Sequence, residues 1–183
     1  MRSGRAAEAA AHYHESVKLW PLFGNTQKAA EAFLEAGDLE MALRFAENQV
    51  ERSRRETGHQ TEETADAHAS LSLVQVACGD LAGAEVSARA ALRIDRITGR
   101  EKDAAHARHL SALGQVLIAR RKIDEAGEVL ERALPLARKT LGSKHSDLGP
   151  IYAGLAVVKD AQGAPKLAAK FERLRQRLPH PGP

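Results

Sequence analysis

The chain has 183 residues, 43% of them hydrophobic, enough for one domain with a sizeable core. Aromatic residues make up only 4%, so the apolar content rests on Ala and Leu, which favours helices and disfavours a β-sandwich. The net charge of +3 hides a polarity: residues 1–92 carry 9 Lys and Arg against 14 Asp and Glu, whereas residues 93–183 carry 18 against 10.

No stretch reaches the ~18–20 uncharged apolar residues of a membrane span. The opening MRSGRAAEAAAHYHESVKLW is interrupted by Glu8, His12, His14 and Glu15, so it does not read as a signal peptide. Cys78 is the only cysteine, which excludes an internal disulfide and makes a reducing cytoplasm the expected setting.

In chain order, the pattern predicts an N-terminal helix over 5–19, ended by Trp20-Pro21. Helix pairs follow, with first helices near 25–36, 66–78, 104–119 and 147–161. Their second helices fall near 39–56, 81–98, 123–140 and 165–178, and a disordered tail over 179–183 closes the chain. The pairs repeat every 42 residues. Ala42, Ala84, Ala126 and Ala168 form one column of small residues, and Ala30, Ser72, Gly114 and Ala156 form another. Ala29, Leu71, Leu113 and Leu155 stand just before the second column. The turn column reads Gly37, Gly79, Arg121 and Gly163, and the next apolar column Leu39, Leu81, Ile123 and Pro165.

These columns have a physical reading. Small side chains are needed where two helices cross closely, and Gly supplies the left-handed residue that ends the first helix. Asp38 and Asp80 stand where an N-cap acceptor is wanted, and Pro165 at a first helical position. Helix 81–98 carries Leu81, Ala84, Val86, Ala88, Ala91, Leu92, Ile94 and Ile97 on a wide arc and is expected to pack on two sides. Helix 165–178 keeps one apolar stripe, Leu167, Phe171, Leu174 and Leu178, as a capping helix does. The expectation is one all-α domain over 1–178, a right-handed solenoid of four repeats at about 25–58, 66–99, 104–141 and 147–178.

Leu113-Gly114, Leu117 and Ala126 resemble the tetratricopeptide repeat signature. The 42-residue period, with KTLGSKHSDLGPIYAGLAVV at 139–158, is similar to the longer repeat of kinesin light chains and many bacterial proteins. That resemblance covers about 25–178 and implies that first helices line a concave surface. The implied lining is Gln27, Glu31, Leu34 and Glu35, then Asp66, Ala69, Ser70, Leu73 and Val76. Arg108, Ser111, Ala112, Gln115 and Ile118 follow, then Ala153, Gly154, Val157 and Asp160. An apolar line of Leu34, Leu73, Val76, Ile118 and Val157 reads either as groove floor or as inter-repeat core. Kinesin light chains carry paired asparagines where this chain has Gln27-Lys28, Ala69-Ser70, Ser111-Ala112 and Ala153-Gly154. A small, apolar lining suits a helix or a bulky apolar segment instead.

No phosphate loop, paired-cysteine zinc pattern, HExxH or nucleophile elbow is present, so no enzyme activity, cofactor or metal is expected. His106 and His109 share a helix face as two metal ligands would, without an evident third; the alternative is a solvated or groove-facing pair. The expected role is binding of a protein or peptide segment through Gln27, Glu31, Glu35, Leu73, Arg108, Ser111, Gln115 and Val157. Lys166, Lys170, Arg173 and Arg177 form a basic patch. It reads as a solvated face, an acidic partner's site or, less well for want of stacking aromatics, a nucleic-acid contact. Acidic and basic halves also allow head-to-tail association of copies, a homo-oligomer. No membrane contact is expected.

Overall fold

The computed structural model describes Ala30 and residues 33–179. The helix expected over 5–19, most of the first repeat's opening helix, and residues 180–183 lie outside the described residues. Residues 33–36 are helical. Seven helices follow: α1 (Leu39–Glu56), α2 (Glu62–Ala77), α3 (Leu81–Ile97), α4 (Ala104–Ala119), α5 (Ile123–Leu141), α6 (Leu148–Ala161) and α7 (Pro165–Gln176). Among the described residues there is no strand.

The turns explain the order. Gly37, Gly79, Arg121 and Gly163 all have positive φ, between 60° and 83°. At each one the chain closes the preceding helix with the same pair of bonds, such as Gly79 N to Val76 O at 3.1 Å and Asp80 N to Gln75 O at 2.9 Å. Arg121 repeats the geometry, with Arg121 N to Ile118 O at 2.9 Å, although it is the one non-glycine with positive φ among the described residues. Asp38 and Asp80 then cap α1 and α3 by accepting from Met41 N at 3.1 Å and Gly83 N at 2.9 Å. Pro165 opens α7. The α2 helix starts at Glu62, before the expected 66, because Thr61 caps it by accepting from Thr64 N.

Each helix packs on its neighbours in the chain, and α2, α4 and α6 also touch in succession. The even-numbered helices therefore form an inner row and α3, α5 and α7 an outer row. Ala42, Ala84 and Ala126 are 0% exposed, so the small column lies where helices cross. Ala168 and Ala156 are only half-buried, and α7 has no buried residue: among the described residues nothing packs on its outer side. The tightest crossing centres on Leu130 of α5, itself fully buried. A Cβ on Gly114 would meet Leu130 Cδ2 at 2.5 Å, and one on Gly154 would meet its Cδ1 at 2.7 Å.

The wide apolar arc expected on α3 is corrected. Val86 is 71% and Ile97 56% exposed, while Glu85 and Asp95 are buried on the same helix. Glu85 is retained inside by three cations. Lys122 Nζ stands 2.9 Å and Arg89 Nη2 2.8 Å from its oxygens, and Arg120 binds it too. The Lys122 hydrogen bond, with Arg89 and Arg120, holds this carboxyl at about 2.

Candidate binding groove

The inner row encloses a groove of about 1110 Å³. The second helix pair contributes Asp66, Ala69, Ser70 and Leu73 from α2. Arg108, His109, Ser111, Ala112 and Gln115 come from α4. Ser146 and Asp147 lead into α6, which adds Gly149, Pro150 and Ala153. The far end is walled by Arg175, Gln176, Leu178 and Pro179, so residues expected to end the cap helix or begin a tail complete the groove. Leu178 is anchored there: it packs on the main hydrophobic core.

Of the expected lining, Leu73, Arg108, Ser111 and Gln115 are brought together around this space. Leu73 is 36% exposed. Glu35 is exposed before the turn into α1. Gln27 and Glu31 fall outside the described residues. Val157 is 48% exposed one helical turn beyond Ala153, outside the enclosed part. The apolar line is not continuous. Leu34 packs against the N-terminal core cluster, Val76 and Ile118 pack against the main one, and Gly154 is buried beneath Leu130. What remains is a floor of small residues, Ala69, Ala112 and Ala153, edged by polar groups. Ser111 is 4% exposed, yet its Oγ has no hydrogen-bond partner among the described residues. Such an unsatisfied hydroxyl costs roughly 1–3 kcal/mol.

Arg108 stands between two carboxylates, 3.9 Å from Asp66 Oδ1 and 4.0 Å from Asp147 Oδ2. Both separations exceed hydrogen-bond range, so its planar donor fork is held electrostatically and unspent.

His106 and His109 are not solvated and are not placed as metal ligands, which corrects those expectations; only His109 of the pair borders the groove. They are 6% and 1% exposed. Both Nδ1 atoms donate to Asp95 Oδ2, at 2.7 Å and 2.8 Å. His109 Nε2 donates to Asp66 Oδ1 at 2.7 Å, so this ring bridges a buried carboxylate and one on the groove wall. Burial pushes the Asp95 carboxyl up, but the bonds from His106 and His109 override it and hold it at about 2. Burial likewise pushes His109 down, and the bonds to Asp66 and Asp95 leave it raised. Among the described residues no group of three His, Cys, Asp or Glu is arranged to hold a metal ion. Nothing in the local sequence marks Asp95 as the partner of these histidines, since α3 and α4 meet only through packing.

Away from the groove, His68 on α2 is 8% exposed and accepts at Nε2 from Arg54 Nη2 at 3.2 Å. Burial, then Arg54 and Arg93, lower it to about 4, and its Nδ1 has no partner among the described residues. The basic patch is fully outside: Lys166, Lys170, Arg173 and Arg177 are all exposed along one flank of α7.

An inner row of first helices, a turn glycine at a fixed interval and a small residue at each crossing define a solenoid of helical hairpins. By fold this is an α-solenoid of helical repeats, and residues 105–174 match the family model described as tetratricopeptide repeat; the solved structures it is similar to are kinesin-light-chain-like repeat proteins. BtubC (BKLC) from P. vanneervenii superposes with a TM-score of 0.70 at 20% identity, covering 100% of this chain and 78% of that one. A Podosopora anserina protein described as a kinesin light chain with nearly identical TPR-like repeats gives 0.66 at 18% identity, covering 96% and 87%. A single-substitution variant of it gives 0.68 at 20% identity over the same shares, 96% and 87%. No curated protein matches the chain. No helix among the described residues is long and apolar enough to cross a membrane.

Proposed function

We propose that the chain is a non-catalytic adaptor or scaffold that takes a segment of another protein in the groove between α2, α4 and α6. Tetratricopeptide repeats typically mediate protein–protein interaction. The observation that carries the reading here is the Arg108 guanidinium on an open concave face. Arg108 is out of hydrogen-bond range of both its carboxylates, beside a floor of Ala69, Ala112 and Ala153 edged by Leu73. A segment lying on that floor gives Arg108 a hydrogen-bond acceptor.

The test compares proteins retained from the source cell by wild type, by Leu73→Glu with Gln115→Arg, and by Lys166→Glu with Lys170→Glu. Partners lost only with the groove pair, at unchanged circular dichroism, support the reading. Equal retention by the groove pair overturns it.

A second reading has its own observation. Lys166, Lys170, Arg173 and Arg177 are exposed and form no ion pair among the described residues, so a nucleic acid or an acidic partner has a ready contact on α7. Binding that disappears with the Lys166→Glu and Lys170→Glu pair and falls steeply with salt identifies that case. Ultracentrifugation at low and high salt tests whether the acidic and basic halves join copies head to tail.

A further inference from the structure

Three helices are stitched together by one unbroken run of carboxylates and imidazoles, Asp66 on α2, His109 and His106 on α4, and Asp95 on α3. Consecutive members are joined at 2.7–2.8 Å. We propose that this run is a proton-operated latch on the groove, in which doubly protonated His109 ties the α2 wall to α4 and loss of one proton releases Asp66.

With Asp95 and Asp66 both ionised, the geometry calls for two protons on His109. Each of its nitrogens stands within hydrogen-bond distance of a carboxylate oxygen, and a neutral imidazole has only one N–H to donate. The order of release follows from exposure. The Asp95 side chain is 2% exposed, so the proton on His109 Nδ1 sits shielded from water. The Asp66 side chain is 41% exposed. When His109 Nε2 becomes a lone pair, it repels the Asp66 carboxylate, which can turn outward. Asp66 therefore gives up its buried partner on α4 for water at the groove, and this tie between α2 and α4 is lost.

The charged and titratable groups around His109 give this exchange its direction. On α2 these are Asp66 and Glu62, the latter engaged by Arg100, which also binds Asp103. Asp95 faces it from α3, and Arg108 and His106 share its helix. Asp147 and His145, 3.5 Å apart, lie ahead of α6, and Arg175 is engaged by Glu172. Among them Asp66 alone both touches His109 and reaches water. The net shift of His109 above its ordinary value accords with a ring stabilised in its doubly protonated form.

The latch is a property of the free chain, so its test needs no partner and is separate from the proposal that the groove binds one. Nitrogen-15 spectra of the imidazoles and amide exchange along 62–77 are recorded between pH 5.5 and 9.5 for wild type and Asp66→Asn, whose changed side chain is half in water. The expected result is a His109 ring protonated on both nitrogens at pH 6, losing the Nε2 proton at higher pH in wild type than in Asp66→Asn. Protection of 62–77, corrected for the intrinsic pH dependence of exchange, should fall over that interval in wild type only. Each unit separating the two pKa values corresponds to roughly tenfold in the tie, and the corrected protection should fall by a matching factor. A neutral His109 at pH 6 overturns the proposal, as does protection along 62–77 that is indifferent to its titration or equal pKa values in the two proteins.

Discussion

A methyl group added to Gly114 would lie 2.5 Å from Leu130 Cδ2 and 2.6 Å from its Cγ, so α4 and α5 meet where only a hydrogen atom fits. Leu130 is fully buried and cannot step aside. Gly114→Ala should therefore lower stability by about 1–3 kcal/mol through overpacking, against roughly 1 kcal/mol of gained helix propensity. Urea midpoints at constant m-value check this, and an unchanged or raised midpoint would show that the crossing is looser than described.

The column of small residues predicts a contrast between equivalent sites. Ala84 and Ala126 are 0% exposed, whereas Ala168 is half-buried on α7. Leucine at Ala84 or Ala126 should cost about 1–3 kcal/mol, while Ala168→Leu should stay within about 0.5 kcal/mol of wild type. Equal effects at all three positions would refute the absence of packing on the outer side of α7 among the described residues.

Arg121 holds a left-handed conformation, φ 60°, that Gly occupies in the other three turns. An L-residue loses roughly 1–2 kcal/mol there, and glycine returns part of that through its freer unfolded chain. Arg121→Gly should raise stability by about 0.5–1 kcal/mol in thermal unfolding. Lower stability would mean that the Arg121 side chain contributes more than its backbone costs.

The buried histidines work in opposite directions with pH. His68 is lowered to about 4 from an ordinary 6.5, so its contribution is complete above 6.5 and is lost as pH falls toward 4. His109 is raised, so its contribution is complete below 6.5 and is lost as pH rises through the folded value. Glu85 and Asp95, both held at about 2, add a further loss as pH drops below about 4.5. Chemical denaturation across pH should give a maximum near 6.5. In His68→Gln the decline between 6.5 and 4 should become shallower while the alkaline decline remains. A steeper acid decline would contradict the burial of a neutral His68.

What the chain order of residues determined by itself is the hairpin lattice. A left-handed turn, an N-cap and a small residue at each crossing are local requirements, met by Gly37, Asp38 and Ala42 and again by Gly79, Asp80 and Ala84 within a few residues. Their 42-residue recurrence was enough to place the described helix pairs, whereas the placing of Leu73, Arg108, Ser111 and Gln115 on one inner face followed from the resemblance to tetratricopeptide repeats. Only tertiary structure decided which groups on that face are unsatisfied and which are tied down. Asp66 and His109 are 43 residues apart, and Asp95 reaches His106 and His109 from an outer helix. Periodicity distinguishes apolar from polar positions on one helix. The choice of a buried carboxylate's donors depends on the rotation and separation of two others, which is why Asp95 went unread and Val86 and Ile97 were misassigned to the core.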